Sequence, residues 1–197
     1  MKLILTSFMH DRLPEFVSGK LAYIGDAARS YGDASWVLTE RNTLASQGFE
    51  LVDLPLSTTP ADQAASILDS VDAVYAAGGE TFDLLNVLRT TGTFDLLKSK
   101  VEAGLTYIGT SAGSVIASPN IEYISPMDNP GIAPDLHDYT GFGFVDISVV
   151  PHASGTIPSY PVTTIAEIVA KYGETHPLQL LRDGQALIVE DGRITLV

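Results

Sequence analysis

The sequence predicts an α/β fold in which helices cover both faces of a doubly wound, mostly parallel sheet. Two observations lead to this prediction. Short apolar runs alternate with longer segments whose apolar residues recur at helical spacing, and such alternation is typical of parallel sheets. The short runs are apolar nearly throughout, as strands covered on both faces are. The length of 197 residues suits one domain, so we expect a single domain over residues 1–197.

The predicted strands and helices follow one another through the first half of the chain. Each helix has apolar residues three and four positions apart, and Pro60 is a favourable start for the second helix. The predicted strands are 2–7, 20–26, 49–54, 73–78 and 105–111. The predicted helices are 34–47, 61–70, 81–89 and 94–103.

The pattern changes after the fifth strand. Residues 118–143 are rich in Pro, Gly, Asp and Asn, and a loop of this length inside a domain is usually functional. Whether its part 119–143 closes over a substrate stays open at this point. A further strand is predicted at 144–150 and a helix at 162–172. Residues 178–197 contain two Asp-Gly turns, so we expect short antiparallel strands added at the edge of the sheet.

Composition excludes several classes of function. Eleven Lys and Arg against 24 Asp and Glu give a net charge of −13, which repels nucleic acids and anionic membrane surfaces. The chain has no cysteine, so disulfides, thiolate metal sites and a cysteine nucleophile are excluded. No apolar stretch reaches the roughly 18 residues of a spanning helix, and no signal peptide is apparent. We therefore expect a cytoplasmic protein.

A candidate nucleophile lies directly after the fifth predicted strand. Residues 109–113 read Gly-Thr-Ser-Ala-Gly, the G-x-S-x-G pattern in which a strand turns sharply into a helix and exposes the central serine. The apolar residues before the motif and the segment SVIAS after it supply the required strand and helix. Ser111 is therefore the predicted nucleophile. The alternative is a glycine-rich loop whose serine has no catalytic role.

A catalytic serine needs a base, and the base needs a carboxylate that orients it. His152 follows the predicted strand 144–150, so it lies at the C-terminal edge of the sheet, where sites of parallel sheets gather. For the third position we expect Asp128, which lies between Ser111 and His152 in the chain. Glu122 is the competing candidate.

Hydrolysis also needs hydrogen-bond donors for the developing oxyanion. Gly78 and Gly79 end the fourth strand, and we expect the amides of Gly79 and Ala112 to form the oxyanion hole. The chain contains no G-x-x-x-x-G-K-[ST] loop and no H-E-x-x-H pair, and its Gly-Phe-Gly at 141–143 lacks the context of a dinucleotide fingerprint. We therefore expect neither a metal nor another cofactor.

Three segments together resemble the peptidase E family of serine peptidases, which is related to the cyanophycinases. They read AGGETFDLL, IGTSAGSVIASPNIEYISPMD and VVPHASG, in the order of the family, within residues 73–155. The resemblance implies a glutamine-amidotransferase-like α/β fold, with Ser111 as nucleophile and His152 as base. It also implies an acidic residue later in the chain than the sharp turn at Ser111. It also implies hydrolysis of dipeptides and short peptides with an N-terminal aspartate.

Two departures from the family pattern bear on the substrate. Glu80 stands where the family often has Asn, and no arginine occurs from residue 90 to 181, although an aspartate side chain in a pocket needs a cation. We expect Gly78, Glu80 and Glu122 to contact a short peptide, and a first residue that need not be Asp and can be neutral or basic. The chain would act as a monomer or homodimer.

Two other functions fit part of the pattern. An esterase of the α/β-hydrolase type shares the sharp turn around the serine and the chain order Ser, Asp, His. However, an HGGG-type oxyanion segment is missing. A non-catalytic binding protein on the same fold is the second alternative, since a fold does not determine a function.

Overall fold

The computed structural model describes residues 1–32 and 34–197. Nine strands are present in the described residues. They are β1 (Lys2–Thr6), β2 (Lys20–Ile24), β3 (Glu50–Asp53), β4 (Ala73–Ala76), β5 (Thr106–Thr110), β6 (Ser148–Val150), β7 (Leu178–Leu180), β8 (Ala186–Glu190) and β9 (Arg193–Leu196). Seven of them form the main sheet in the order β3-β2-β4-β5-β1-β8-β9. The pairs among β1 to β5 are parallel, whereas β8 pairs antiparallel with both β1 and β9.

Helices connect the parallel strands, as predicted. They are α1 (Ser35–Ser46), α2 (Ala61–Leu68), α3 (Thr81–Thr90), α4 (Thr93–Glu102), α5 (Ala112–Val115) and α6 (Val162–Tyr172). The five helices predicted from apolar spacing begin and end within two residues of the predicted bounds. None of the helices in the described residues is long and apolar enough to cross a membrane.

The side chains of the central strands alternate between two apolar clusters, one on each face of the sheet. In β1, Leu3 and Leu5 belong to the larger cluster and Ile4 to the smaller one. The larger cluster also holds buried residues of α2 to α6, and the smaller one holds Leu44 of α1. Helices therefore cover both faces, which confirms the predicted fold class.

The strand order brings three chain segments to one edge of the sheet. Thr6 at the end of β1 pairs with Thr110 at the end of β5. Thr6 also pairs with Ala186 at the start of β8, because β8 runs in the opposite direction. The residues that follow β1 and β5 and those that precede β8 consequently meet at the C-terminal edge of the parallel strands.

The C-terminal part differs in detail from the prediction. The strand expected at 144–150 is limited to β6, which pairs in parallel with β7 in a separate sheet of two strands. Of the tail, only β8 and β9 join the main sheet, and their turn has positive φ at Asp191 and Gly192, the geometry that an Asp-Gly hairpin favours. An apolar run indicates a strand but does not identify its partner, because strand preference reflects burial more than pairing.

The loop predicted at 118–143 is packed against the core. It contains short 3₁₀ helices at Glu122–Ile124 and Pro130–Ile132. Its buried apolar side chains, among them Ile121, Tyr123 and Phe142, belong to the larger cluster. These contacts hold the loop against the core.

Candidate active site

Ser111 occupies the sharp turn between β5 and α5. Its backbone has φ 48° and ψ −110°, a strained conformation for a residue with a side chain. The flanking glycines are needed because the backbone folds back on itself: a Cβ at Gly109 would lie 2.4 Å from the carbonyl oxygen of Gly113. The amide of Ser111 donates to the carbonyl of Thr6 at 3.0 Å, which ties the turn to β1.

His152 lies at hydrogen-bonding distance from this serine. Its Nε2 is 3.0 Å from Ser111 Oγ, and its side chain is almost completely buried. The residue follows β6 and has a positive φ of 56°. The ring of Tyr160 stacks on the imidazole with 5.1 Å between centroids and 9° between planes. The predicted approach of His152 to Ser111 is therefore present in the structure.

Asp183, which is not among the site residues predicted from the sequence, contacts the other side of the imidazole. Its Oδ1 lies 2.7 Å from His152 Nδ1. Asp183 is in the segment between β7 and β8, so it reaches the site because β8 is antiparallel to β1. Ser111, His152 and Asp183 form a continuous relay of hydrogen bonds.

Asp128 does not contact His152, contrary to the prediction for the third position. Its Oδ2 accepts from the amide of Thr81 at 3.1 Å and from the Thr81 hydroxyl at 2.5 Å, at the start of α3. The ring of Tyr160, which stacks on His152, also lies near Asp128. Both ring nitrogens of His152 already have partners, so Asp128 reaches the imidazole only through the stacked ring of Tyr160.

The glycine pair lies beside the nucleophile, as expected. A Cβ built at Gly78 would be 3.3 Å from Ser111 Cβ and 4.0 Å from its Oγ. Gly79 has φ 139°, and a Cβ there would lie 2.2 Å from the carbonyl oxygen of Ala27, so only glycine fits. Ala112 is the first residue of α5, and its amide therefore has no acceptor within the helix.

The two glutamates predicted at the substrate site are placed differently. Glu80 accepts a hydrogen bond from the hydroxyl of Tyr31, which lines the cavity next to Ser111. Glu122 is exposed, and its amide donates to Asn120 Oδ1 at 2.7 Å. Among the described residues that line the cavity, Glu122 does not occur. An acidic residue in a loop gives no sequence signal for the direction in which the loop folds.

A cavity of about 290 Å³ opens over Ser111 and His152. Aromatic side chains form much of its wall, namely Phe8, Tyr31, Trp36 and Tyr160. Neither lysine nor arginine occurs among the described residues that line it. In the described part of the chain, no group of three His, Asp or Glu side chains is placed to hold a metal ion.

Burial controls the protonation of the site. Burial lowers the pKa of His152, and the contact with Asp183 opposes part of this effect. The imidazole is therefore neutral near pH 7 and can accept a proton. Burial raises the pKa of Asp128 to about 6. In the cavity wall, burial raises the pKa of Glu40 to about 7, although the hydroxyl of Tyr75 donates to its carboxylate at 2.8 Å.

Comparison with known proteins assigns the chain to a family. The family model for peptidase family S51 matches residues 4–197. The chain belongs to peptidase family S51. An uncharacterized peptidase of Pasteurella multocida is 36% identical over 87% of this chain and 81% of its own length. A second one, from Listeria innocua, is 34% identical over 98% of this chain and 94% of its own.

A solved structure agrees with this assignment. The crystal structure of a protein from Listeria monocytogenes EGD-e, described as of peptidase E type, superposes with a TM-score of 0.90 at 30% identity. The match covers 100% of this chain and 97% of the other one. The predicted resemblance to peptidase E is thus confirmed, and this S51 protein is a peptidase of the serine type.

Proposed function

We propose that this S51 peptidase hydrolyses dipeptides or short peptides through a relay of Ser111, His152 and Asp183. The single observation that supports this most directly is the pair of hydrogen bonds at the imidazole, 3.0 Å to Ser111 Oγ and 2.7 Å to Asp183 Oδ1. A serine, a base in reach of it and a carboxylate on the far ring nitrogen form the constellation that activates a hydroxyl for attack.

In the first half of the reaction, Ser111 Oγ attacks the carbonyl carbon of the scissile peptide bond while His152 Nε2 takes the hydroxyl proton. The negative charge that develops on the carbonyl oxygen is stabilised by the amides of Gly79 and Ala112. The carbon–nitrogen bond then breaks, and His152 returns its proton to the leaving amine. The product is an ester between the acyl part of the substrate and Ser111.

In the second half, a water molecule gives a proton to His152 and attacks the ester carbonyl. The second tetrahedral intermediate releases the carboxylic acid, and the proton returns from His152 to Ser111 Oγ. Asp183 keeps Nδ1 protonated throughout, so that Nε2 of the neutral ring always faces the nucleophile. Its negative charge stabilises the imidazolium formed in each half.

The cavity favours a neutral or basic first residue over aspartate. A buried aspartate side chain needs a compensating cation, and the described cavity wall offers aromatic rings and the carboxyl of Glu40 instead. Arg29 is bound in a forked pair with Asp83, at 2.6 and 2.5 Å. Glu80, beside Tyr31, adds negative charge that suits a free α-amino group.

Hydrolysis of Asp-Leu, Asn-Leu, Ala-Leu and Lys-Leu by the wild type and Ser111→Ala tests the proposal. We expect turnover by the wild type, none by a folded Ser111→Ala variant, and no effect of EDTA. A preference for Asp-Leu above about a hundredfold in kcat/KM, or about 2.7 kcal/mol, would contradict the proposed specificity. Loss of activity with EDTA would contradict the metal-free mechanism.

A further inference from the structure

The hydroxyl of Ser7 touches two parts of the proposed relay. Ser7 directly follows β1 and is fully buried. Its Oγ donates to Asp183 Oδ1 at 2.8 Å and accepts from the amide of His152 at 2.7 Å. A hydroxyl has a single proton to donate and two lone pairs to accept with. Since a backbone amide can only donate, the Ser7 proton is directed to the carboxylate.

Ser7 restrains the orientation of the Asp183 carboxylate. The same oxygen, Oδ1, receives the Ser7 hydroxyl and faces His152 Nδ1. The Asp183 side chain is 26% exposed, so water competes for its oxygens. Two donors converging on a single oxygen fix that oxygen where His152 needs it, whereas the imidazole alone leaves the carboxylate free to rotate.

Ser7 also restrains the backbone of the base. His152 has a positive φ of 56°, a conformation that non-glycine residues keep only when their surroundings hold them in it. Its amide is held by Ser7, and its carbonyl accepts from the amide of Gly155 at 2.9 Å. The side-chain direction of His152 depends on this backbone conformation.

Thr6, the residue before Ser7, holds the nucleophile through its backbone carbonyl. The carbonyl of Thr6 accepts from the amide of Ser111 at 3.0 Å and from the hydroxyl of Ser114 at 2.7 Å. Two consecutive residues at the end of β1 thus bind the turn with the serine and the loop with the histidine. A small displacement of reacting groups reduces the rate by as much as a hundredfold.

We propose that Ser7 is a positioning residue of this peptidase, whose hydroxyl fixes the Asp183 carboxylate and the His152 main chain together relative to Ser111. This inference rests on the proposed function. It adds to the relay a residue that touches neither substrate nor nucleophile. Removal of the hydroxyl is expected to lower the reactivity of Ser111 and to leave the binding of substrate in the cavity unchanged.

The test measures the rate at which a fluorophosphonate labels Ser111, together with kcat and KM for a dipeptide, in Ser7→Ala. We expect a loss of about 10- to 100-fold in labelling rate and kcat, with KM within about twofold. Ser7→Cys, which keeps the shape but is a weak donor and acceptor, is expected to fall between wild type and Ser7→Ala. It also serves if Ser7→Ala does not fold.

The matched control is Ser118→Ala. Ser118 is equally buried and also accepts from a backbone amide, that of Val149 at 3.2 Å, but its other partner is Tyr123. We expect its labelling rate to equal that of the wild type. Equal rates in the wild type and Ser7→Ala, or an equal loss in Ser118→Ala, would overturn the role of Ser7 while leaving the proposed function intact.

A double-mutant cycle separates positioning from general destabilisation. If Ser7 acts through Asp183, its removal in an Asp183→Asn background costs less than in the wild type. If the loss in the double variant equals the product of the losses in the two single variants, Ser7 does not act through Asp183. A wild-type Ser111 that the probe does not label would overturn the proposed function itself, and with it any positioning role of Ser7.

Discussion

The structure predicts a large loss of kcat when Asp183 is replaced by asparagine and a small loss when Asp128 is replaced. Asp183→Asn keeps the side-chain shape but removes the charge 2.7 Å from His152 Nδ1. An asparagine can also turn its NH₂ group toward the ring, which favours the wrong tautomer. Loss of this carboxylate in a serine triad costs about 10⁴ in kcat, which corresponds to about 5.4 kcal/mol of transition-state stabilisation.

Asp128→Asn acts at a different place. The carboxylate accepts from Thr81 and lies near Tyr160, so its removal affects the start of α3 and the surroundings of the ring stacked on His152. We expect a loss of less than about tenfold in kcat, since no group that bonds to His152 is removed. The assay is dipeptide hydrolysis at saturating substrate, with thermal unfolding of each variant to establish that it is folded.

The ratio of the two losses decides the assignment. Asp183→Asn should reduce kcat at least a hundredfold more than Asp128→Asn. A larger loss in Asp128→Asn, with both variants folded, would refute the assignment of Asp183 and return Asp128 to the third position of the relay.

Three further predictions concern protonation and space in the site. Because burial lowers the pKa of His152, the acid limb of a kcat/KM profile should have its midpoint below pH 6.5, the ordinary value; a midpoint above it would contradict the desolvation of the ring. Glu40, with a pKa of about 7 instead of 4.5, binds a proton in the folded state that it loses on unfolding. The free energy of unfolding therefore falls as the pH rises from 4.5 to 7. Urea unfolding of Glu40→Gln should therefore show a gain over the wild type of about 2.5 kcal/mol on going from pH 5 to pH 8, and a constant difference would refute it. Gly78→Ala places a methyl group 3.3 Å from Ser111 Cβ, and we expect a folded variant with kcat/KM at least tenfold lower; full activity would show that the substrate does not pass over Gly78.

The sequence was informative about the fold because apolar periodicity reflects burial directly. The central strands are buried on both faces, so their runs stand out, and α2, α4 and α6 each have their buried apolar residues on one side. For residues 144–150 and 178–180 the same signal indicates strands but not the sheet that they join. Residues 148–150 and 178–180 pair with each other in a separate sheet of two strands, and nothing in a local pattern specifies which of two sheets a strand joins.

The site was predictable where its residues follow parallel strands. Ser111 and the glycine pair follow β5 and β4, and His152 follows a short strand that ends nearby. Asp183 differs from the predicted carboxylates because it follows His152 in the chain, whereas the order Ser, Asp, His places the carboxylate between Ser111 and His152. The sequence does contain a signal for Asp183. It precedes a strand that is predicted to be antiparallel, and a residue in that position lies at the same edge of the sheet as residues that follow the parallel strands.

The pairing of β8 with β1 has a consequence for the time at which activity arises. The pairing joins Lys2 to Glu190 and Thr6 to Ala186, so β1 must wait for a segment that is synthesised much later in the chain. Ser7, Ser111 and His152 are all synthesised before Asp183. On the proposed mechanism, a growing chain already carries its nucleophile and base but lacks the carboxylate that orients the base. Full hydrolytic activity is then expected only after β8 has docked on β1, so a nascent chain hydrolyses the peptides around it far more slowly than the folded protein does.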